Sequence, residues 1–179
     1  DVLNVSQDEN SDVLWKELEK ALEEAISNLV EAKELEGRKL SEDMLKRLDT
    51  INGNILNISQ YSTGLIEQYV VKLKDRIKEM LQTDIVDEAR ISQEVVLYAD
   101  KTSIEEEITR LRSHIVQFKE LLQSETIKKA GKRLDFIIQE MNREVNTIGS
   151  KSNCLEITNL VIELKTELED VREQVQNIE

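Results

Sequence analysis

The feature that most restricts the fold of this chain is an apolar pattern at spacings of three and four residues, which no proline interrupts. Such spacing places apolar side chains on one face of an α-helix, and an internal proline would break the helix. Only 3% of the residues are aromatic and 34% are charged, which favours helices over a sheet. The sequence therefore predicts an all-α protein, an elongated helical bundle with long antiparallel helices and coiled-coil-like seams.

The first part of the chain predicts two long helices. One runs from about residue 12 to 36 and stops at Gly37, and the other covers about residues 41–81. Gly53 and Gly64 weaken the second helix, either as a bend that lets an arm move or as a tolerated weak stretch. The first helix is expected to turn one apolar face inward, with Trp15 at its edge; that face holds Val13, Leu14, Leu18, Leu22, Ile26, Leu29 and Val30.

The rest of the chain predicts four more helices. A third begins near Val86, and its run from 95 to 99 is apolar on every side, which predicts burial. Residues 102–103 are suited to cap a fourth helix. A fifth lies within residues 131–153, and the last carries a regular apolar seam to the C-terminus, so it must pair with another helix.

Residues 1–10 are polar and without pattern, so we expect a linker there and one helical domain over residues 11–179. The single Cys154 cannot form an internal disulfide. No apolar run approaches the roughly 20 residues that span a bilayer, so no membrane partner is expected. The cytoplasm is the expected compartment.

The net charge of −13 is the wrong sign for a simple nucleic-acid binder, because phosphates are normally contacted by Lys and Arg. The charge is uneven, however. Residues 1–36 carry eleven acids and three bases, whereas residues 126–153 carry three acids and six bases: Lys128, Lys129, Lys132, Arg133, Arg143 and Lys151. A nucleic acid is therefore expected to meet the second segment, where Lys132 and Arg133 begin the fifth helix.

The fifth helix carries an unusual polar face. Its apolar stripe consists of Leu134, Ile137, Ile138, Met141, Val145 and Ile148. On the far side, about 100° per residue places Phe136, Glu140, Arg143 and Thr147. An aromatic residue among paired charges indicates a second contact surface, which a solvated face would not need.

The chain lacks a phosphate-binding glycine loop of the Walker type, HExxH, a CxxC pair and GxSxG. What is left for catalysis is carboxylates, Arg, Lys and one histidine, which suits chemistry at phosphate. Glu140 and Glu144, one turn apart, can hold a divalent cation or simply pair with arginines. His114 lies in line with Arg110 and Glu107 and is either a proton carrier or a hydrogen-bonded structural residue.

Three runs of residues resemble the bacterial YicC/YloC family, whose members are described as endoribonucleases. They are LDFIIQEMNRE followed by NTIGSKSN, then DEARISQEVVLYADKTSIEEEITRLRSH, and finally REQVQNIE. The likeness is strong from Asp87 onward and is to the C-terminal portion alone, because family proteins carry a further N-terminal half. Cys154 departs from the pattern, which has an acidic residue there.

The resemblance implies an endoribonuclease acting on RNA. It implies Glu140 and Glu144 as ligands of Mg²⁺ or Mn²⁺ or as residues that orient water, His114 as proton carrier, and Arg143 with Lys151 on phosphate. Family members are thought to form ring-like hexamers, so the chain itself is an expected partner. The alternative is a structural oligomerisation module, with the catalytic residues in the N-terminal half.

Overall fold

The computed structural model describes residues 11–81, 87–123 and 130–176, so the predicted linker at 1–10 lies outside the described residues. Within these ranges every element is an α-helix and no strand occurs, which confirms the all-α prediction. The described ranges hold six helices, numbered in chain order: α1 Ser11–Thr63, α2 Leu65–Leu81, α3 Glu88–Thr102, α4 Glu105–Gln123, α5 Ala130–Lys151 and α6 Leu155–Gln176.

Residues 1–42 form one compact unit and residues 43–179 another. In the first unit α1 continues through Gly37, so the predicted stop there is wrong. A glycine inside a helix costs only about 1 kcal/mol, which favourable neighbours offset. The apolar face predicted to point inward is also not covered by the described residues. Its members are 51–63% exposed, namely Val13, Leu14, Leu18, Leu22, Ile26, Leu29 and Val30. Trp15 at its edge and Leu35 further along the helix are 63% and 50% exposed.

In the second unit, residues 43–63 of α1 share an apolar core with α4, α5 and α6. All six residues of the predicted α5 stripe are buried, together with the apolar stripes of the neighbouring helices. Burial of one such side chain stabilises by about 1.5–3 kcal/mol, and this drives the helices together. The contribution of α1 to the core is Met44, Leu48, Ile51, Ile55 and Ile58.

Polar contacts place α1 beside both α6 and α4. Arg47 Nη1 donates to Glu167 Oε2 at 3.0 Å and to Asp170 Oδ2 at 2.7 Å. Lys119 Nζ of α4 donates to Asp49 Oδ1 at 2.7 Å. These surface contacts contribute little energy, but they fix which faces of the helices meet.

Helices α5 and α6 run antiparallel and approach closely. Arg172, near the end of α6, donates from Nε to Asp135 Oδ1 at 3.3 Å, near the start of α5. At the other end of the pair, a Cβ added to Gly149 would lie 3.1 Å from Val161 Cγ1. Glycine therefore permits a contact that a larger residue would push apart.

Helices α2 and α3 form a separate pair. The predicted helix over 41–81 is interrupted at Gly64, where α1 ends and α2 begins. The rings of Tyr69 and Tyr98 stack with centroids 3.6 Å apart, and Asp87 caps α3 by accepting from the backbone of the first turn. The predicted burial of residues 95–99 is wrong, because Val96 and Leu97 are exposed. No described helix combines the length and apolarity needed to cross a membrane.

Candidate functional site

Two ion pairs with buried carboxylates join α4 to α5. Lys151 Nζ donates to Glu107 Oε1 at 2.7 Å and to the Ser103 carbonyl at 3.0 Å. Arg110 Nη1 donates to Glu144 Oε1 at 3.3 Å. Glu107 and Glu144 are only 7% and 5% exposed. Because the start of α4 meets the end of α5, the two helices are antiparallel and their register is defined.

This register places His114 at the level of Glu140. His114 lies one turn beyond Arg110 on α4, and Glu140 lies one turn before Glu144 on α5. Both are half-buried, and His114 Nδ1 is buried without a hydrogen-bond partner among the described residues. The structure thus brings the three predicted catalytic residues, His114, Glu140 and Glu144, to one seam between two helices.

The described part of the seam does not fit a metal centre. Glu144 already accepts a hydrogen bond from the Arg110 guanidinium. This bond is the largest cause that raises the pKa of that guanidinium above its ordinary value. Among the described residues no group of three or more His, Cys, Asp or Glu side chains is arranged to hold a metal ion. A hard cation takes about six oxygen ligands, and only the Glu140 carboxylate is left over here. The metal at Glu140 and Glu144 stays a prediction.

At the other end of the same seam lies a depression of about 400 Å³, the α4-side groove. Lys132, Arg133 and Phe136 of α5 line it opposite Gln117 and Glu120 of α4. Both cations are exposed and form no ion pair with the described residues, and the Phe136 side chain is 61% exposed. His114 lies one turn before Gln117 on α4 and is not itself a lining residue of the groove.

Arg143 lies on the opposite flank of α5. It lines a second depression of about 580 Å³, the α6-side groove, together with Arg172 of α6 and three carboxamide side chains: Gln139, Asn142 and Asn146. Arg143 is exposed, and its side chain forms no ion pair or hydrogen bond with the described residues. The two arginines carry positive charge onto a chain that is acidic as a whole.

The structure therefore separates the predicted phosphate-binding residues. Lys132 and Arg133 lie in one groove and Arg143 in the other, while the ammonium of Lys151 is engaged by Glu107. Lys128 and Lys129 of the basic segment lie outside the described residues.

Sequence reasoning placed Gln139 beside the polar face of α5, but it missed Asn142, Asn146 and the second arginine of the α6-side groove. Asn142 and Asn146 are spaced four apart beside Arg143, a signal that was present in the sequence. Arg172 carried no such signal, because only the packing of α6 on α5 brings it there.

Comparison with known proteins assigns the chain to a family. Residues 58–179 match the family model described as "Endoribonuclease YicC-like, C-terminal". A protein of Clostridioides difficile (strain 630) named "Probable endoribonuclease YicC" is 48% identical over 181 residues, which cover 100% of this chain and 61% of that protein. One of the same name from Haemophilus influenzae (strain ATCC 51907 / DSM 11121 / KW20 / Rd) is 30% identical over 174 residues, or 97% of this chain and 59% of that protein. The chain thus spans about three fifths of the length of these curated relatives.

Proposed function

The chain belongs to the family of YicC-like endoribonucleases, and we propose that it binds single-stranded RNA along α5 and takes part in its cleavage. The observation that supports this most is the α4-side groove, in which Lys132 and Arg133 flank the exposed ring of Phe136 and form no ion pair with the described residues. Because the relatives are longer, the part of them that this chain does not cover is also a candidate for catalytic residues.

The groove has the two components that single-strand binding requires. Lys132 and Arg133 attract phosphates, and their contribution falls as salt rises. A base that stacks on Phe136 gains about 1–3 kcal/mol, whatever its identity. Exposure of the apolar phenylalanine ring to water costs free energy, and a base stacked on the ring would remove this cost.

His114 is the proton carrier in this proposal. His114 lies between the Arg110–Glu144 pair and Gln117 along α4, so RNA bound in the groove would run close to its imidazole. His114 takes the proton of the RNA 2′-hydroxyl as that oxygen attacks the neighbouring phosphorus; the bond to the 5′-oxygen breaks, and the leaving oxygen takes up a proton from water. The product of this route ends in a 2′,3′-cyclic phosphate.

Metal-assisted hydrolysis is the route that the sequence favours, since one histidine cannot supply both a base and an acid. Water activated by Mg²⁺ or Mn²⁺ would leave no cyclic phosphate. The chemistry of the products therefore separates the two routes without any assumption about ligands.

The binding proposal is tested by fluorescence anisotropy with a labelled single-stranded RNA of about ten nucleotides. Lys132→Ala/Arg133→Ala should weaken binding and reduce the slope of log affinity against log salt by about 1.4, since each phosphate contact to a single strand contributes about 0.7. The matched control is Lys16→Ala/Lys20→Ala, which removes the same charge from exposed positions on α1. Equal slopes in all three proteins would place RNA elsewhere.

Cleavage is tested with protein that includes the N-terminal part found in the relatives. Products formed with Mg²⁺ and with excess chelator are compared by end-group analysis for the wild type, His114→Ala and Glu140→Ala. A cyclic phosphate formed in chelator and lost in His114→Ala supports the histidine route. Metal dependence with loss in Glu140→Ala supports the metal route, and full activity of both variants would remove the active site from this chain.

A second candidate function has its own observation in the exposed apolar face of α1. Nine large apolar side chains within residues 13–35 are exposed on one helix, far more apolar surface than a monomer normally leaves uncovered. On this alternative the chain is an oligomerisation module, and its cleavage chemistry belongs to the rest of the protein. The chain then binds RNA no better than Lys132→Ala/Arg133→Ala does.

A further inference from the structure

The α6-side groove differs in chemistry from the α4-side groove. The residues that line it include two guanidinium groups and three carboxamides and no carboxylate. From this lining we infer that the groove binds an unpaired RNA base by its edge, with Arg143 on the adjoining phosphate, and so selects which base RNA presents there. This inference rests on the proposed function and adds base selectivity to it.

The carboxamides indicate base recognition, because phosphate binding does not need them. A phosphate offers hydrogen-bond acceptors only, and Lys or Arg satisfies it best. An Asn or Gln side chain offers a donor and an acceptor together, which is the pattern on the edge of a base. Unpaired bases in RNA are recognised through such edges.

Other contacts hold part of the groove in place. Asp135 Oδ2 accepts from Gln139 Nε2 at 2.7 Å, and its Oδ1 accepts from Arg172 Nε at 3.3 Å. One carboxylate outside the groove thus orients a lining residue from each helix. Asp135 is a positioning residue, since it acts on RNA only through these two side chains.

Some of the remaining polar side chains of the lining already form hydrogen bonds within the protein, and others are available to a ligand. The hydroxyls of Thr147 and Ser150 donate to carbonyls of their own helix, at 3.0 and 2.9 Å. The side chains of Asn142, Arg143 and Asn146 make no hydrogen bond with the described residues. The available groups are therefore two carboxamides with a guanidinium between them, and Asn142 is half-buried, which restricts its motion.

The two grooves lie on opposite flanks of α5, and Phe136 and Arg143 lie on the solvent-facing side between them. Phe136 and Arg143 are seven residues apart, which is close to two turns or about 10 Å along the axis. A strand that stacks on Phe136 can therefore continue past Arg143 and place a later base in the α6-side groove. A peptide segment also offers paired donors and acceptors, but the Arg143 guanidinium, which has no ion pair with the described residues, and the lack of a carboxylate in the lining favour a polyanion. Arg172 is already paired with Asp135 and Glu169.

The experiment uses the full chain and labelled ten-nucleotide A, C and U homopolymers, with an abasic strand of equal length as the reference. Wild type should bind one homopolymer about tenfold or more tightly than the other two, the size expected of one base read by paired hydrogen bonds. Stacking on Phe136 favours all three homopolymers alike over the abasic strand. In Asn142→Ala/Asn146→Ala this preference should disappear, while affinity for the abasic strand and its salt slope stay unchanged. Asp135→Asn should lower the same preference in part.

Two controls make the outcome decisive. Asn57→Ala/Asn159→Ala removes two exposed carboxamides elsewhere and should keep the preference. Lys132→Ala/Arg133→Ala should weaken all strands equally and keep the ratio between them. The inference is overturned if wild type does not separate the homopolymers from one another, or if Asn142→Ala/Asn146→Ala weakens every strand alike. If no strand binds wild type at all, the proposed function itself is refuted, which is a different result.

Discussion

Substitution of Lys151 tests whether this residue binds phosphate or stabilises the packing of α5 on α4. The sequence places Lys151 on phosphate, whereas in the structure its ammonium bridges the Glu107 carboxylate and the Ser103 carbonyl, joining the end of α5 to the start of α4. Lys151→Ala removes both contacts and leaves Glu107 buried, with neither carboxylate oxygen paired, since Oε2 has no partner among the described residues.

The magnitude follows from the burial of the two partners. Loss of one partner from a fully buried pair costs about 3–5 kcal/mol, because an uncompensated charge is left inside. Here the Lys151 side chain keeps 32% of its exposure and water can reach the site, so the lower side applies. We expect a loss of about 2–3 kcal/mol, in line with one charge-assisted and one neutral hydrogen bond. In a chain of this size that lowers Tm by roughly 4–12 °C.

Thermal unfolding followed by circular dichroism measures this change, with anisotropy of labelled RNA recorded on the same samples. Lys165→Ala is the control, since Lys165 is exposed and has no ion pair with the described residues; its Tm should move by about 1 °C or less. Glu107→Leu/Lys151→Met removes both charges and should recover most of the lost stability. A Tm of Lys151→Ala within about 1 °C of wild type, together with weaker RNA binding, would refute this reasoning and restore the phosphate role.

Three further outcomes are expected. Gly53→Ala should raise stability by about 0.5–1 kcal/mol in thermal unfolding, because Gly53 lies inside α1 with nothing within 4 Å of an added Cβ; a lower Tm would contradict this. The pKa of Asp43 is lowered, first by the hydrogen bond from Gln174 and then by Arg47, so its stabilisation is present above its unfolded-state pKa and is lost as pH falls through the folded-state pKa. The Tm gap between wild type and Asp43→Asn should therefore narrow from neutral pH to about pH 3, and a constant gap would exclude this cause. If the exposed face of α1 pairs with a second copy, sedimentation should give a mass above 20.7 kDa and Ile26→Glu should reduce it, whereas a wild-type monomer would exclude self-association.

Periodicity predicted the core where a partner helix was within reach. The α5 stripe is buried from Leu134 to Ile148, and the seam of α6 is buried through Val175. The same reasoning failed for the first part of α1 and for Val96 and Leu97, which are exposed. A pattern shows that a helix has an apolar face, and it carries no information on whether anything covers that face.

Helix ends were predicted less well than helix faces. Gly37, Gly53 and Gly64 are all weak points for a helix, yet among them only Gly64 interrupts the helical residues over 11–81. A single glycine costs about 1 kcal/mol, which is small against the summed propensity and packing of a long helix. Local sequence therefore weighs too little to decide where α1 ends.

The sequence by itself determined the all-α class, the α5 stripe, the acidic balance with its basic segment, and the family through its motifs, because these depend on local spacing and residue type. Tertiary structure decided which charges are spent and which are free. Lys151 and Glu144 are engaged by residues more than thirty positions away, while Lys132, Arg133 and Arg143 are left facing solvent. An ion pair depends on the distance between two side chains, and that distance is set by the register in which α4, α5 and α6 pack.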